Sequence, residues 1–124
     1  MPDDATTIDA LKQLVDAFVS ERDWHRFHTP KNLSMALSIE AAELMEHFQW
    51  LEPAEAQAVA DDAERRAAVG EELADVVCYA LALANALGID VAEAMRDKMQ
   101  KNVRKYPADQ YRGRWGHGDR REGQ

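Results

Sequence analysis

The sequence predicts an all-α protein of one domain, and three observations support this prediction. Apolar residues recur at helical spacing through most of residues 7–104. Start signals such as Thr29 followed by Pro30, and stop signals such as Gly88, divide this region into segments of helical length. Alternation of apolar and polar residues, the pattern of half-buried strands, does not stand out. We predict an antiparallel four-helix bundle with short loops.

The first predicted helix covers about residues 7–22. Thr6 and Asp9 resemble a helix-start signal. The apolar residues that follow the helical period are Ile8, Leu11, Leu14, Val15, Phe18 and Val19. The helix therefore has one face suited to packing.

The second predicted helix covers about residues 30–51, with Thr29 as its N-cap and a proline at its first position. Leu33, Leu37, Leu44 and Phe48 mark its apolar stripe. The following Ala-rich, charged segment predicts a short helix from Pro53 and a turn near residues 61–62.

The third predicted helix covers about residues 64–87 and stops at Gly88, a residue type suited to the position after a helix. Residues 73–87 are apolar on nearly all sides of this helix. A helix of that kind must be covered from several directions, which a subunit of 124 residues cannot easily do alone. We therefore predict that this apolar helix assembles the subunits into a dimer or tetramer.

The fourth predicted helix covers about residues 90–104, where Asp90 and Glu93 resemble a capping box. Helical periodicity is lost after Pro107, while glycine and charge increase. We predict a helical domain over residues 1–107 and an extended, Gly- and Arg-rich tail over residues 108–124.

Charge is unevenly distributed along the chain. Residues 1–97 carry 20 acidic and 7 basic side chains, whereas residues 98–124 carry 3 and 8. The acidic body argues against binding to nucleic acid. Apolar runs too short to span a bilayer, a polar N-terminus and a single cysteine favour a cytoplasmic protein without a membrane partner. That cysteine, Cys78, is predicted to be a small core residue.

Several familiar chemistries lack their sequence patterns. None of the six glycines lies in either common phosphate-binding loop. None of the four histidines follows a glutamate by three residues, as a di-iron bundle requires. Paired zinc ligands and the local signature of a serine triad are also missing. The remaining possibility is a metal site built from oxygen ligands.

Two acidic pairs with the same spacing are the most informative feature. Glu40 and Glu43 lie in LSIEAAELMEHFQW, and Glu72 and Asp75 lie in GEELADVVCYALALA. A spacing of three puts both carboxylates of a pair on one helix face. Because carboxylates among apolar residues repel one another and are costly to ionise, a cation should balance them. The pairs therefore predict a Mg²⁺ site between two packed helices; the alternative is two solvated helix faces.

Three segments together resemble a known family: ERDWHRFHTPKNLSMALSIEAAELMEHFQW, then EELADVVCYALALA, then KMQKNVRKYP. They resemble the MazG-like all-α nucleoside triphosphate pyrophosphohydrolases, and most closely their dCTP pyrophosphatase branch. The resemblance implies Mg²⁺-dependent hydrolysis of a nucleoside triphosphate to its monophosphate and pyrophosphate. It also implies dimers or dimer-of-dimers tetramers, with sites near subunit boundaries.

The resemblance assigns roles to ten residues in three groups. The carboxylates expected to bind the metal and to serve catalysis are Glu40, Glu43, Glu72 and Asp75. The residues expected to enclose the base are Trp24, Trp50, His28 and Tyr79. The residues expected to engage the phosphates and the sugar are Lys98 and Asn102. For the tryptophans the alternative is ordinary packing, and for His28 a surface position near an N-cap.

The expected substrate is dCTP or a related pyrimidine deoxynucleotide. Two rival interpretations remain open at this point. One is a related helical pyrophosphohydrolase that acts on dUTP or phosphoribosyl-ATP. The other is a non-catalytic helical interaction module whose acidic faces are only solvated.

Overall fold

The computed structural model describes residues 1–114, and every regular element in this part of the chain is a helix. The α-helices are α1 (Ile8–Glu21), α2 (Pro30–Glu46), α3 (Pro53–Ala58), α4 (Ala63–Leu87), α5 (Val91–Lys105) and α6 (Ala108–Tyr111). Short 3₁₀ helices cover Asp3–Ala5 and Val59–Asp61. The predicted all-α class is confirmed.

Side-chain caps begin the four long helices, because the first backbone N–H groups of a helix have no partner within it. The capping residues are Thr7, Thr29, Asp62 and Asp90. At α2 the Thr29 hydroxyl accepts a bond of 3.2 Å from the Asn32 N–H, and a proline occupies the first turn, as predicted. At α1 the cap is Thr7, one residue later than the predicted signal at Thr6.

The second helix is shorter than predicted and ends at Glu46 instead of residue 51. Residues 47–50 form tight turns, in which the N–H groups of Phe48 and Gln49 both bond to the Met45 carbonyl. Pro53 favours an extended backbone at the residue before it, and Glu52 is extended as it caps α3.

Residues 1–89 form one compact unit in which α4 packs most extensively along α2, and also against α1 and the second 3₁₀ helix. The buried residues of its core are Val19, Leu33, Val59, Leu81, Ala82 and Ala84. Leu33 is only 2% exposed, and burial of a leucine contributes roughly 1.5–3 kcal/mol. This small core holds together the three helices that carry most of the candidate site.

Much of the apolar surface of α4 remains uncovered within a single chain. Leu73 and Val77, one turn apart, and Leu87 near the helix end are all exposed. Cys78 is also exposed, so the prediction of a core cysteine is wrong. A helix in a core and a helix that faces a cleft or a partner have the same apolar periodicity in sequence. In α4 part of the apolar surface, including Cys78, is exposed.

Residues 90–114 belong to a second compact unit. Within it, α5 exposes Met95, Met99 and Val103 along one face. The short helix α6 lies where the sequence predicts an extended tail, and Tyr111 from α6 meets Tyr106 edge to face at 5.2 Å between ring centroids. Residues 115–124 of the predicted tail lie outside the described residues.

Among the described residues, no single helix is long and apolar enough to cross a membrane. Within the same residues, only α4 and α5 counted together have the length and composition of a membrane span.

Candidate functional site

Three acidic side chains from two helices meet between α2 and α4. One carboxylate oxygen each from Glu40, Glu43 and Glu72 lies within 4.8 Å of the other two. All three residues are half-buried. The spacing of three along α2 places its two glutamates on the face that packs against α4, where Glu72 approaches them. We call these three residues the carboxylate cluster.

The cluster holds more negative charge than its polar contacts balance. One oxygen of Glu40 and one of Glu72 are enclosed, and within residues 1–114 neither has a hydrogen-bond partner. Enclosed polar atoms normally find a partner, because leaving them without one costs about 1–3 kcal/mol each. A bound proton or cation would therefore stabilise the carboxylate cluster.

The neighbouring carboxylates raise the pKa of Glu40. This pKa is raised from 4.5 to about 7, first because a proton on Glu40 would allow a hydrogen bond to the Glu43 carboxylate, which the ionised form cannot make. Partial burial, a hydrogen bond that the same proton would allow to Glu72, and the charges of both neighbours raise it further. At neutral pH the cluster is thus poised between holding a proton and holding a metal ion.

The donor set of the cluster fits a hard divalent cation. Oxygen ligands bound to one Mg²⁺ at about 2.1 Å lie no more than about 4.2 Å apart. The oxygens of the cluster, within 4.8 Å of one another, need only small side-chain adjustments to reach that geometry. Carboxylates with two enclosed, unpartnered oxygens are suitable ligands for it.

Asp75, the fourth predicted carboxylate, lies outside the cluster defined by the described acidic residues. It is one turn beyond Glu72 on α4, but its side chain is one methylene shorter. Asp75 instead lines a cleft of about 510 Å³ between α1 and α4. It therefore stands where the carboxylate cluster and the cleft meet along α4.

The cleft has an aromatic wall built from three segments. Phe18 of α1 meets Trp24 edge to face, with ring centroids 5.7 Å apart and planes at 76°. The His28 ring follows, 6.2 Å from Trp24 and 6.5 Å from Tyr79 of α4. All four line the cleft. The spacing suits a planar, largely apolar ligand group such as a nucleobase.

His28 adds a polar atom to this wall. Its Nδ1 is enclosed and has no hydrogen-bond partner within residues 1–114. An enclosed ring nitrogen of this kind can donate to or accept from a polar ligand edge. Its position near the N-cap of α2 arises because residues 24–28 form successive turns between α1 and α2.

The structure brings together Trp24, His28 and Tyr79 but places the fourth expected base-enclosing residue elsewhere. Trp50 lies in the turns after α2 and is 86% exposed, whereas Trp24 is 41% exposed. The described wall of the cleft does not include Trp50. In a single chain the Trp50 indole is therefore exposed and free to contact the surface of another subunit.

Lys98 and Asn102 lie one turn apart on α5, in the second compact unit. Lys98 is exposed and Asn102 is half-buried. The Asn102 amide makes a weak contact of 3.8 Å with the Met99 sulfur. The two side chains thus present a cation and an amide on neighbouring turns, as the sequence predicts.

Sequence reasoning missed six residues that line the cleft: Leu14, Val15, Phe18, Val19, Cys78 and Ala82. Leu14 and Phe18 follow the apolar period of α1 and were expected to pack, and both are exposed. Although Cys78 is exposed, partial desolvation at the cleft wall and the charge of Asp75 raise the pKa of its thiol. No sequence signal separates these residues from core residues of the same helices.

Comparison with known proteins identifies the family of this chain. Residues 35–116 match the model of the MazG-like family, and the chain belongs to that family. The matched region contains the carboxylate cluster and both predicted residues of α5.

Two relatives and one solved structure show the extent of the similarity. The chain is 42% identical over 107 residues to dCTP pyrophosphatase 1 of Rattus norvegicus, covering 86% of this chain and 63% of that protein. It is 42% identical over 102 residues to dCTP pyrophosphatase 1 of Homo sapiens, covering 82% and 60% respectively. The chain thus spans less than two-thirds of the length of these curated relatives.

The solved structure is a pyrophosphatase from Archaeoglobus fulgidus. It superposes with a TM-score of 0.71 at 42% sequence identity, covering 81% of this chain and 92% of that one.

Proposed function

We propose that this chain is a Mg²⁺-dependent nucleoside triphosphate pyrophosphohydrolase that acts on dCTP or a related pyrimidine deoxynucleotide. The observation that carries the proposal is the convergence of Glu40, Glu43 and Glu72 within 4.8 Å beside an aromatic cleft. Support comes from relatives that are named dCTP pyrophosphatase 1 and from a structural neighbour named a pyrophosphatase. A metal site next to a base-sized cleft suits a substrate that joins a base to phosphates.

In this proposal the three glutamates of the carboxylate cluster would hold the Mg²⁺, and Asp75 would join them as a ligand from the cleft side. A bound Mg²⁺ would neutralise charge on the triphosphate as the α–β phosphoanhydride breaks. One glutamate of the cluster orients a water molecule, and takes its proton, for in-line attack on the α-phosphorus. The bond to the bridging oxygen breaks, and pyrophosphate leaves with that oxygen.

The remaining predicted residues bind the substrate. Trp24 and Tyr79 flank the base, and His28 offers its ring nitrogen to a polar edge of the base. Lys98 supplies positive charge to the phosphates, and Asn102 hydrogen-bonds to the sugar or phosphate portion.

We further propose that the functional form is a homodimer or homotetramer, each subunit being a four-helix bundle. The uncovered apolar residues Leu73, Val77 and Leu87 of α4 support this. The Trp50 indole is highly exposed in a single chain. It would take its expected role, enclosing the base, by reaching the cleft of a second subunit. The helical domain of residues 1–107, the tail of residues 108–124 and the cytoplasmic location belong to the same proposal, with neither nucleic acid nor membrane as a partner.

A substrate panel tests the proposed function. The full chain is incubated with Mg²⁺ and with dCTP, dUTP, other nucleoside triphosphates or phosphoribosyl-ATP, and the products are identified by chromatography. We expect dCMP and pyrophosphate from dCTP, with weaker turnover of the others.

The other outcomes of the panel are equally informative. Faster turnover of dUTP or phosphoribosyl-ATP than of dCTP would identify that compound as the substrate in place of dCTP. Absence of turnover together with an unchanged melting temperature in Mg²⁺ would favour the non-catalytic interaction module, because a site that binds only the folded state must raise stability.

A further inference from the structure

The helix α1 ends in an uncommon backbone conformation. Asp23 has a φ of 53° and is the one residue other than glycine with positive φ among residues 1–114. Side chains with a β-carbon are disfavoured in this left-handed region, and asparagine and aspartate tolerate it best. An unfavourable conformation retained in the fold calls for a structural reason.

Asp23 closes a complete Schellman motif. Its N–H bonds to the Ser20 carbonyl at 3.0 Å, and the Trp24 N–H bonds to the Val19 carbonyl at 3.0 Å. The motif usually brings the residue after the left-handed position into apolar contact with the last helical turn. Here the contact is the edge-to-face pair of Trp24 and Phe18 at 5.7 Å.

The end of α4 shows the same motif with the usual residue. Gly88 has a φ of 64°, its N–H bonds to the Asn85 carbonyl, and the Ile89 N–H bonds to the Ala84 carbonyl at 3.0 Å. Glycine adopts this conformation without the steric cost. The chain therefore offers an internal comparison between a strained and an unstrained form of one turn.

The turn at Asp23 positions two rings of the cleft. The Trp24 carbonyl accepts bonds from the N–H groups of Phe27 and His28, at 2.9 and 3.1 Å. Trp24 is thus held on both sides through its own backbone, and His28 is tied to it. The Asp23 carboxylate also lies 3.4 Å from the Arg26 guanidinium, although this exposed pair contributes little.

We propose that Asp23 is a positioning residue: its left-handed turn aims Trp24, and through it His28, into the cleft where the substrate base binds. The inference rests on the proposed function of that cleft. Asp23 touches no substrate in this account. Its backbone conformation, rather than its charge, is what matters.

Three substitutions separate conformation from charge. Asp23→Val disfavours the left-handed conformation, because a β-branched side chain clashes there. Asp23→Gly permits it and removes the side chain, and Asp23→Asn permits it and removes only the charge. Gly88→Val is the matched control, since it places the same strain at the equivalent turn of α4.

The first readout is ¹⁹F NMR of the full chain labelled with 5-fluorotryptophan, with the Trp24 resonance assigned by its loss in Trp24→Phe. We expect this resonance to move in Asp23→Val and to keep its position in Asp23→Gly, Asp23→Asn and Gly88→Val. Movement in Gly88→Val as well would show general loosening of the fold and would overturn the proposal.

The second readout is steady-state kinetics with dCTP at a temperature where each Asp23 variant is folded. We expect Asp23→Val to raise KM about tenfold, the size of one lost base-stacking contact, with kcat within about threefold. Asp23→Gly and Asp23→Asn should keep the KM of the unmodified chain. The Mg²⁺-induced rise in melting temperature should be equal in all forms, because the carboxylate cluster lies on α2 and α4.

Failure of the proposed function and failure of the positioning role of Asp23 give different results. An unmodified chain that neither binds nor hydrolyses dCTP overturns the proposed function and, with it, the role of Asp23 in substrate binding. Activity in the unmodified chain together with an unchanged KM or an unmoved Trp24 resonance in Asp23→Val overturns the positioning role alone.

Discussion

Glu40 of α2 and Glu72 of α4 present carboxylate oxygens within 4.8 Å of each other, and each has one enclosed oxygen without a hydrogen-bond partner in the described chain. Two packed helices would not normally hold like charges at this distance. A bound cation removes the repulsion and satisfies the enclosed oxygens together. The pair therefore explains both the acidic spacing in the sequence and the proposed metal dependence.

Loss of one carboxylate of the cluster should abolish turnover. We expect Glu43→Gln and Glu72→Gln each to lower kcat by at least roughly 100-fold, because an amide binds Mg²⁺ poorly and cannot take a proton from water. Steady-state kinetics measures the effect, with circular dichroism as the check on helix content. Glu71→Gln is the matched control, an exposed glutamate beside Glu72, and should retain activity. Substantial Mg²⁺-dependent turnover in Glu72→Gln would contradict the assignment.

Asp75 should behave differently from the three glutamates. Because it lines the cleft and lies outside the carboxylate cluster, we expect Asp75→Asn to weaken nucleotide binding in Mg²⁺ more than binding of Mg²⁺ alone. Calorimetric titration with Mg²⁺, and then with dCMP in Mg²⁺, separates the two effects. Equal loss of Mg²⁺ affinity in Asp75→Asn and Glu72→Gln would place Asp75 among the ligands of the free enzyme.

Metal binding should be linked to pH through Glu40. Its pKa is about 7 in the fold against 4.5 ordinarily, so between these values the folded chain without metal binds more protons than the unfolded chain. This group's contribution to stability therefore falls as pH rises from about 4.5 to 7 and is fully lost above that range. Since Mg²⁺ requires the ionised carboxylate, the Mg²⁺-induced rise in melting temperature should grow from pH 6 to pH 8.

The pH effect is checked by thermal melts in buffers with and without Mg²⁺, compared with Glu40→Gln. The variant should lose most of the pH dependence that Glu40 contributes. A Mg²⁺ effect equally large at pH 6 and pH 8 would show that Glu40 does not compete between proton and metal.

Removal of the Trp24 ring should weaken substrate binding. Stacking of a base on an aromatic side chain contributes roughly 1–3 kcal/mol, so Trp24→Ala should raise KM for dCTP by roughly 5- to 150-fold. Phe27→Ala is the control, because Phe27 is an exposed aromatic residue nearby that does not belong to the described wall of the cleft. Equal effects of the two substitutions would indicate loss of the turn and not of a stacking contact.

Charge on the outer face of α4 should disrupt assembly. Val77→Glu would bury a carboxylate in the proposed interface, at a cost that a subunit contact cannot easily offset. Light scattering after gel filtration should give two or four times 14.0 kDa for the unmodified chain and a smaller mass for the variant. Gln57→Glu adds the same charge on α3 and should leave the mass unchanged. A monomeric unmodified chain would contradict the proposed assembly.

The helices were largely predictable because their signals are local. Thr29 with the following proline, Gly88 and Asp90 mark helix ends that the structure contains. The early end of α2 was missed because the apolar period continues to Phe48, beyond the last helical residue, Glu46.

The candidate site was predictable only in part, because it depends on distances between helices. Spacing alone places Glu40 beside Glu43, but whether Glu72 and Asp75 both reach them depends on the packing of α2 against α4. Likewise, Phe18 has the pattern of a core residue, and only the fold shows that it faces a cleft.

The most direct test of the metal site is anomalous diffraction from crystals of the full chain soaked with Mn²⁺, which takes the same oxygen ligands as Mg²⁺. The account predicts a strong anomalous peak at about 2.1–2.3 Å from oxygens of Glu40, Glu43 and Glu72. A well-diffracting crystal with no peak there, or with the carboxylates turned apart and the ion bound elsewhere, would contradict it.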